Sequence, residues 1–175
     1  NHGEVDFRDP RRDKQHGRIW RIAPTGSKPL AWETLAGQKP EALLTKLTSA
    51  NRWEFEQARR ELLLLDQVSL QKAVIGWAKD DVTRRHAAWL LSGRTDSLSE
   101  LLAMLKSADP VTVQVALREL GKANRQVQPN DVPSIAATLK HPNPRVQLEA
   151  YRALGRLGTF AAADAILDGQ TVNAE

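Results

Sequence analysis

The sequence has no cysteine, which excludes disulfide bonds, thiolate metal sites and haem attachment through a Cys-x-x-Cys-His motif within these 175 residues. No apolar run approaches the roughly 20 residues that a membrane-spanning helix needs, so we predict no membrane span. Positive charge is also limited, because a formal net charge of +4 is small for a dedicated nucleic-acid-binding domain. With 41% hydrophobic and 26% charged residues, the composition is typical of a globular domain.

Residues with the spacing of a catalytic or metal site are lacking as well. The four histidines are never four residues apart, and no His-Glu-x-x-His, Gly-x-Ser-x-Gly or glycine-rich phosphate motif is present. The adjacent acids Asp80 and Asp81 are explained by the start of a helix, with Asp80 as its cap and Asp81 near its positive end. We therefore predict no catalytic residue, no cofactor-binding residue and no metal ligand in this chain.

Four segments share one pattern, in which Asn or Asp is followed by alanine seven positions later and by leucine four positions after that. Recurrence of one register at intervals of about 30 residues is typical of repeat proteins. The segments start at Asn51, Asp80, Asp109 and Asn143, so successive starts are 29, 29 and 34 residues apart.

The chemistry of these positions predicts an α-helix in each segment. Asn or Asp can accept a hydrogen bond from a backbone N–H of the first turn. Pro110 and Pro144 follow two of these caps, where a missing N–H costs nothing. Alanine and leucine four residues apart lie on one helix face, and the small alanine lets a neighbouring helix approach closely. Gly121 and Gly155 directly follow the leucine in two segments, so we expect those helices to end close to these glycines.

Another amphipathic stretch precedes each capped helix, so the repeating unit is a helix pair. The first helices are predicted over residues 41–48, 68–79, 97–106 and 131–140, and a fifth over 160–167. A helix pair of about 30 residues cannot bury its apolar side alone and must stack on its neighbours. We predict an all-α domain over residues 31–175, a right-handed α-solenoid of about four helix pairs whose second helices start near residues 51, 80, 109 and 143.

Residues 1–30 do not follow the repeat. The stretch HGRIWRIAP (16–24) is short, β-inclined and ended by proline, and TGSKP (25–29) has the composition of a linker. A lone strand is unstable without a sheet, so this extended segment must pair with something outside the chain or lie against the first helices. Because the chain begins with Asn1 rather than methionine, we expect a fragment or a processed product.

The helical segments resemble HEAT repeats, whose second helix often begins with Asp-Pro or Asn-Pro and carries Val, Ala and Leu at this spacing. The best match is HPNPRVQLEAYRALGRLG (141–158). The junction of FRDPRRDKQHGRIWRIAPTGSKPL (7–30) with NRWEFEQARRELL (51–63) resembles that of PVC-type bacterial membrane-bound dehydrogenases and related haem-binding-domain proteins. Where that family often reads Asn-Arg-Trp-Trp-Arg, this sequence has Asn51-Arg52-Trp53-Glu54-Phe55.

The resemblance implies that residues 1–30 are the last strand of a β-propeller plus a linker, and that HEAT repeats follow. It also implies export, for example to the periplasm, and a parent protein with oxidoreductase activity. The propeller body and any Cys-x-x-Cys-His motif are not among these residues, so no redox residue of that family has a counterpart here. We therefore expect the chain itself to be non-enzymatic and to hold no cofactor.

The repeat register also predicts a candidate binding surface. At about 100° per residue, the position nine past each cap points away from the Ala/Leu face. Second helices of such solenoids line the concave side, and stacking places equivalent residues in a row. Arginine engages carboxylates bidentately, so this row is a candidate site for a carboxylate-bearing segment. The position holds Arg60, Trp89, Arg118 and Arg152, and Arg85 lies five past its own cap. The alternative is a solvated face neutralised by Glu61, Glu119 and Glu149.

Two functions follow from this pattern. The first is a non-enzymatic HEAT-repeat scaffold that binds its own propeller domain or another protein, with no nucleic acid as partner. The alternative is a nucleic-acid-acting protein resembling the HEAT-like alkylpurine DNA glycosylases, for which Trp89 and an acid such as Asp80 or Asp81 would be required. The mild net charge and the interleaved glutamates favour the first.

Overall fold

The computed structural model describes residues 9–10, 15, 22–28, 33–92, 97–123 and 126–171. They belong to two units, Asn1–Glu33 and Thr34–Glu175. In the first unit, the linker makes a turn in which the Ser27 N–H donates to the Pro24 carbonyl over 3.1 Å. Gly26 supplies the left-handed φ of 80° that such a turn requires. Most of the predicted strand at 16–24 lies outside the described residues and stays a prediction.

The regular structure described in the second unit is entirely helical. Its described residues form nine α-helices and two short 3₁₀ segments, with no strand among them. In chain order the α-helices are α1 (Pro40–Lys46), α2 (Arg52–Leu63), α3 (Gln67–Trp77), α4 (Asp81–Leu91), α5 (Leu98–Met104), α6 (Pro110–Lys122), α7 (Val132–Ala136), α8 (Pro144–Leu157) and α9 (Phe160–Thr171).

All four predicted helix caps are confirmed. Each cap residue has an extended backbone, and its side chain accepts a hydrogen bond from a backbone N–H of the first turn. Asp80 forms a full capping box, because the Thr83 hydroxyl accepts from the Asp80 N–H over 3.1 Å. The repeat alanines and leucines are all buried: Ala58, Ala87, Ala116, Ala150, Leu62, Leu91, Leu120 and Leu154.

Helices α6 and α8 end close to Gly121 and Gly155, as predicted, although neither glycine is the terminal residue. Helix α6 continues to Lys122, and α8 continues to Leu157 and ends at Gly158, whose φ of 62° is left-handed. Gly121 instead faces α8, where a Cβ atom at this position would lie 3.3 Å from the Ala153 Cα. Its lack of a side chain therefore allows α6 and α8 to pack closely.

The first helix of the fourth pair is shorter than predicted. The stretch predicted as a helix over 131–140 forms α7 and then a 3₁₀ turn, Ala137–Lys140. The Thr138 hydroxyl donates to the Ile135 carbonyl over 2.6 Å, which gives the backbone a local alternative to the α-helical pattern. The other first helices, and the fifth beginning at Phe160, lie where the sequence predicts them to within a few residues.

The principal helix contacts follow the order of the chain. Each second helix packs on the next, α2 on α4, α4 on α6 and α6 on α8, and each also packs on the first helix of its own pair. Two apolar cores result, one from α1 to α4 and the other from α4 to α9. Helix α4 contributes Leu90 and Leu91 to the first core and Ala88 to the second.

Candidate protein-interaction surface

The position nine past each cap is exposed on all four second helices. We call these four residues the second-helix row; they are Arg60, Trp89, Arg118 and Arg152. Trp89 is 40% exposed, which is high for a tryptophan on a packed helix. The row is exposed because the cap sets the start of each helix, and the buried Ala/Leu pair then fixes which side faces the core.

Arg85 does not belong to an open surface. Its side chain is largely buried, forms an ion pair with Asp109 and donates to the Thr112 hydroxyl over 3.2 Å. Burial raises the pKa of Asp109, but hydrogen bonds from Val111 and Thr112, together with the charge of Arg85, outweigh it and hold the pKa below its usual value. Arg85 thus ties α4 to the cap of the next second helix, α6.

Arg118 and Arg152 are joined by one buried carboxylate. Arg118 Nη2 on α6 donates to Glu149 Oε1 over 2.8 Å, and Arg152 Nη1 on α8 donates to the same oxygen over 3.1 Å. The Arg118 hydrogen bond, more than any other interaction, lowers the pKa of Glu149 against the opposing effect of burial. Two guanidinium groups therefore share one negative charge, while both arginine side chains remain more than half exposed at 52% and 57%.

Glu119 has a different set of partners. This buried carboxylate accepts from the Ser92 hydroxyl on one side and from Lys122 Nζ over 2.7 Å on the other. The charge of Glu119 is therefore compensated by Lys122, and its hydrogen bond from Ser92 links the end of α4 to α6. Of the glutamates predicted to neutralise the row, Glu149 pairs with two of its arginines, whereas Glu119 pairs with Lys122. Both glutamates also connect neighbouring helices.

Trp89 belongs to an aromatic group centred on His86. The His86 ring lies 5.3 Å from that of Trp89, 5.6 Å from Phe55 and 6.4 Å from Trp77, measured between centroids. Burial lowers the pKa of His86, and the charge of Arg85 lowers it further. Two of these rings, Phe55 and Trp89, border a shallow depression of about 290 Å³ between α2, α4 and α6, together with Glu56, Arg59, Ser92, Glu119 and Lys122.

The structure therefore brings some of the predicted residues together and separates others. Arg118 and Arg152 form one unit through Glu149, Trp89 lies beside the depression, and Arg85 is an internal tie. Sequence reasoning missed Arg59 and Phe55, which border the depression from α2. The signal that could have found them is their four-residue spacing, which places both on one side of that helix.

The acids considered for nucleic-acid chemistry have structural partners. Asp80 caps α4, and Asp81 Oδ1 accepts from the Ser107 hydroxyl over 2.7 Å.

The described residues contain no group of three or more His, Cys, Asp or Glu side chains that could hold a metal ion. Within the same part of the chain, no helix has the length and apolar character required to cross a membrane.

One part of the chain matches a family of known proteins. Residues 98–171, which comprise α5 to α9, match the family model of HEAT repeats. No match was found among curated proteins. A similar solved structure is that of an engineered protein, Northeast Structural Genomics Consortium target OR329, at 21% identity over 77% of this chain and 69% of that one, with a TM-score of 0.44. That structural likeness is too low to bear on function.

Proposed function

We propose that this chain is a non-enzymatic protein-interaction scaffold, a right-handed solenoid of HEAT-like helix pairs whose second-helix row binds a carboxylate-bearing segment of another protein. The match of residues 98–171 to HEAT repeats supports the scaffold class, since stacked repeats offer an extended surface. The observation on which the binding proposal depends is the sharing of Glu149 by Arg118 and Arg152.

The chemistry of this pair favours an anionic partner. One carboxylate cannot neutralise two guanidinium groups. One positive charge therefore remains on the exposed guanidinium groups of Arg118 and Arg152. Because Glu149 is buried and bonded to both, it also restricts the two arginines and lowers the entropy cost of ordering them on binding. Trp89 adds exposed aromatic area of the kind that often anchors interfaces.

The test is a selection of binding peptides from a random display library, followed by affinity measurements on variants. We expect enrichment of peptides with Asp or Glu near an apolar residue. The triple variant R118Q/E149Q/R152Q removes two positive charges and one negative charge, a net loss of one. The matched control R145Q removes one positive charge from the exposed Arg145 on α8. We expect the triple variant to weaken peptide binding about tenfold, since exposed charge pairs contribute about 0.2–1 kcal/mol each, and R145Q to leave it within about twofold.

Equal binding by the triple variant and R145Q, or selection of peptides without acidic residues, would remove the proposed surface. Fluorescence anisotropy with labelled duplex DNA at two salt concentrations tests the nucleic-acid alternative. Micromolar binding that weakens steeply with salt would favour that alternative. The commitment of Asp80 and Asp81 to hydrogen bonds within the protein speaks against it.

A finer proposal concerns the parent protein. The resemblance of residues 7–30 and 51–63 to the junction in PVC-type dehydrogenases supports a place for this module directly after a β-propeller in an exported, oxidoreductase-like protein. The propeller would carry the redox chemistry, and the repeats would position it. Blade-like strands in the sequence preceding Asn1 would support this placement, and a different domain there would contradict it. We also expect the purified chain to take up no nicotinamide, quinone or haem.

A further inference from the structure

A cavity of about 300 Å³ lies between α3, α4 and α5, where the two apolar cores meet. Its walls include Val74 of α3, Leu91 of α4, and Leu101 and Met104 of α5, all of them buried. Helix α1 packs on α3, and α7 packs on α9, whereas neither the pair α3 and α5 nor the pair α5 and α7 is among the principal contacts within the described residues. The cavity lies between the first of these pairs, α3 and α5.

The cause of the cavity can be read from the repeat register. The position eight past the cap holds Leu117 in the third pair and Tyr151 in the fourth, and Leu117 is completely buried. In the second pair the same position is Ala88, which lines the cavity. Four positions earlier, the third pair has buried Val113, but the second pair has the exposed Arg84. The second pair therefore has a small and a charged side chain at two positions where the third pair has buried apolar ones.

The polar groups of the cavity favour a neutral occupant. Besides the buried Ser97, which has an interaction within the protein, its lining contains two charged residues, Arg84 and Glu100, which have opposite signs and reach solvent. In the described part of the chain, the one buried side-chain N or O atom without a hydrogen-bond partner is Gln126 Oε1, which is not in this lining. Water inside the cavity would find few polar partners, and apolar cavities of this kind accept apolar molecules instead.

We propose that this cavity is a binding site for a small neutral apolar molecule, of the size of a substituted benzene ring or a medium alkyl chain. Its volume is at the lower end of the range typical of ligand sites, roughly 300–1,000 Å³. Met104 contributes a flexible thioether side chain, which can adapt to ligands of different shape. The site is independent of the second-helix row, so either proposal can fail without the other.

Met104 makes the test direct, because it is the single methionine of the sequence. In the full chain labelled with ¹³C-methyl methionine, its methyl signal reports on the cavity alone. We expect toluene and 1-octanol to shift this signal saturably with a stoichiometry of one. Octanoate should bind at least fivefold more weakly than 1-octanol, because the site offers no net positive charge. An unmoved signal up to the solubility limit, or tighter binding of octanoate, would overturn the proposal.

A variant in which a larger side chain fills the cavity supplies a second test of ligand binding. Ala88→Leu introduces the residue that the third pair has at this position, and Ala161→Leu makes the same change at an exposed position of α9. We expect Ala88→Leu to weaken binding of toluene at least tenfold and to raise the melting temperature, while Ala161→Leu leaves affinity unchanged. Equal affinity in both variants would place the ligand elsewhere and contradict the proposal. If circular dichroism shows that Ala88→Leu does not fold, Ala103→Leu on α5 gives the same comparison.

Discussion

At the scale of single residues, three carboxylates, two of them buried, connect neighbouring repeats. Glu149 accepts from arginines of two helices, and Glu119 accepts from a serine and a lysine of two helices. Asp109 caps α6 and also receives Arg85 from α4. A buried acid bonded in this way stabilises the fold because its hydrogen bonds to charged donors replace lost contacts with water.

Glu149 gives a prediction for the pH dependence of stability. Its pKa in the folded protein lies below the ordinary value of 4.5, chiefly because of Arg118. Such a group contributes stability that is present above the unfolded pKa and is lost as the pH falls through the folded pKa. Replacement by glutamine should lower the free energy of unfolding by about 1 kcal/mol at neutral pH. As the pH falls below about 5, the wild type should therefore lose more stability than E149Q does.

Urea unfolding at several pH values measures this difference. The matched control is E61Q, which removes a half-buried carboxylate on α2. E61Q removes the same charge from α2 and leaves the contact between α6 and α8 intact, so it controls for the loss of one negative charge. An equally steep loss of stability in E149Q and the wild type would show that the Glu149 hydrogen bonds do not contribute to acid sensitivity.

At the scale of secondary-structure elements, the close approach of α6 and α8 depends on a glycine. A Cβ at Gly121 would lie 3.3 Å from both the Ala153 Cα and the Arg156 Cδ, whereas a Cβ at Gly155 would meet nothing within 4 Å. Both glycines are inside helices, where alanine is otherwise the better residue. The two positions thus separate the effect of helix packing from that of helix propensity.

We expect the alanine substitutions at these positions to have opposite effects. Gly155→Ala should raise the free energy of unfolding by about 0.5–1 kcal/mol, the difference in helix propensity. Gly121→Ala should lower it, because α8 would have to move by a few tenths of an ångström to accommodate the methyl group. Thermal unfolding of both variants under one condition gives the comparison. A stabilised Gly121→Ala would mean that α6 and α8 are less tightly packed than described.

The caps give a second prediction at this scale. Asn143 Oδ1 accepts from the Arg145 N–H over 2.9 Å at the start of α8, the longest second helix. Asn143→Ala should lower the free energy of unfolding by about 1 kcal/mol, because the first turn loses this acceptor. Asn143→Gly should cost only a few tenths of a kcal/mol, since water can then reach the freed N–H. Equal losses in the two variants would contradict a capping role.

At the scale of the whole molecule, the division into two cores predicts unequal unfolding of the two halves. All five tryptophans of the sequence precede residue 90, so tryptophan fluorescence reports on the N-terminal part, whereas far-ultraviolet circular dichroism reports on every helix. Leu62 belongs to the first core and Leu120 to the second, and both are completely buried. Because repeat proteins are stabilised by neighbour contacts, damage to one core need not spread fully to the other.

We expect Leu120→Ala and Leu62→Ala each to cost about 2–5 kcal/mol locally, with different signatures. In Leu120→Ala, the circular dichroism transition should begin at lower denaturant concentration than the fluorescence transition. In Leu62→Ala, the fluorescence transition should shift to lower denaturant concentration by at least as much as the circular dichroism transition does. Coincident transitions in both variants would show that the two cores unfold as one cooperative unit.

The sequence by itself determined the features that depend on residues close together in the chain. An Asn or Asp cap needs only the N–H groups of its own first turn, and the Ala/Leu face needs only the period of the helix. The four caps, the alternation of first and second helices and the exposure of the row at position nine were all predicted for this reason. Handedness and curvature of the stack, and the strand proposed for residues 16–24, stay predictions.

Only the tertiary structure decided which side chains from different helices meet. In the structure, Arg85, a surface candidate in the sequence, is paired with Asp109, and Arg118 is paired with Glu149 across 31 positions of sequence. Gly121, which lies close to the predicted helix end, also packs against α8. The tertiary structure also revealed that Ala88 leaves space beside α5. These outcomes depend on the distance and orientation between helices, which the pattern within a single helix does not contain.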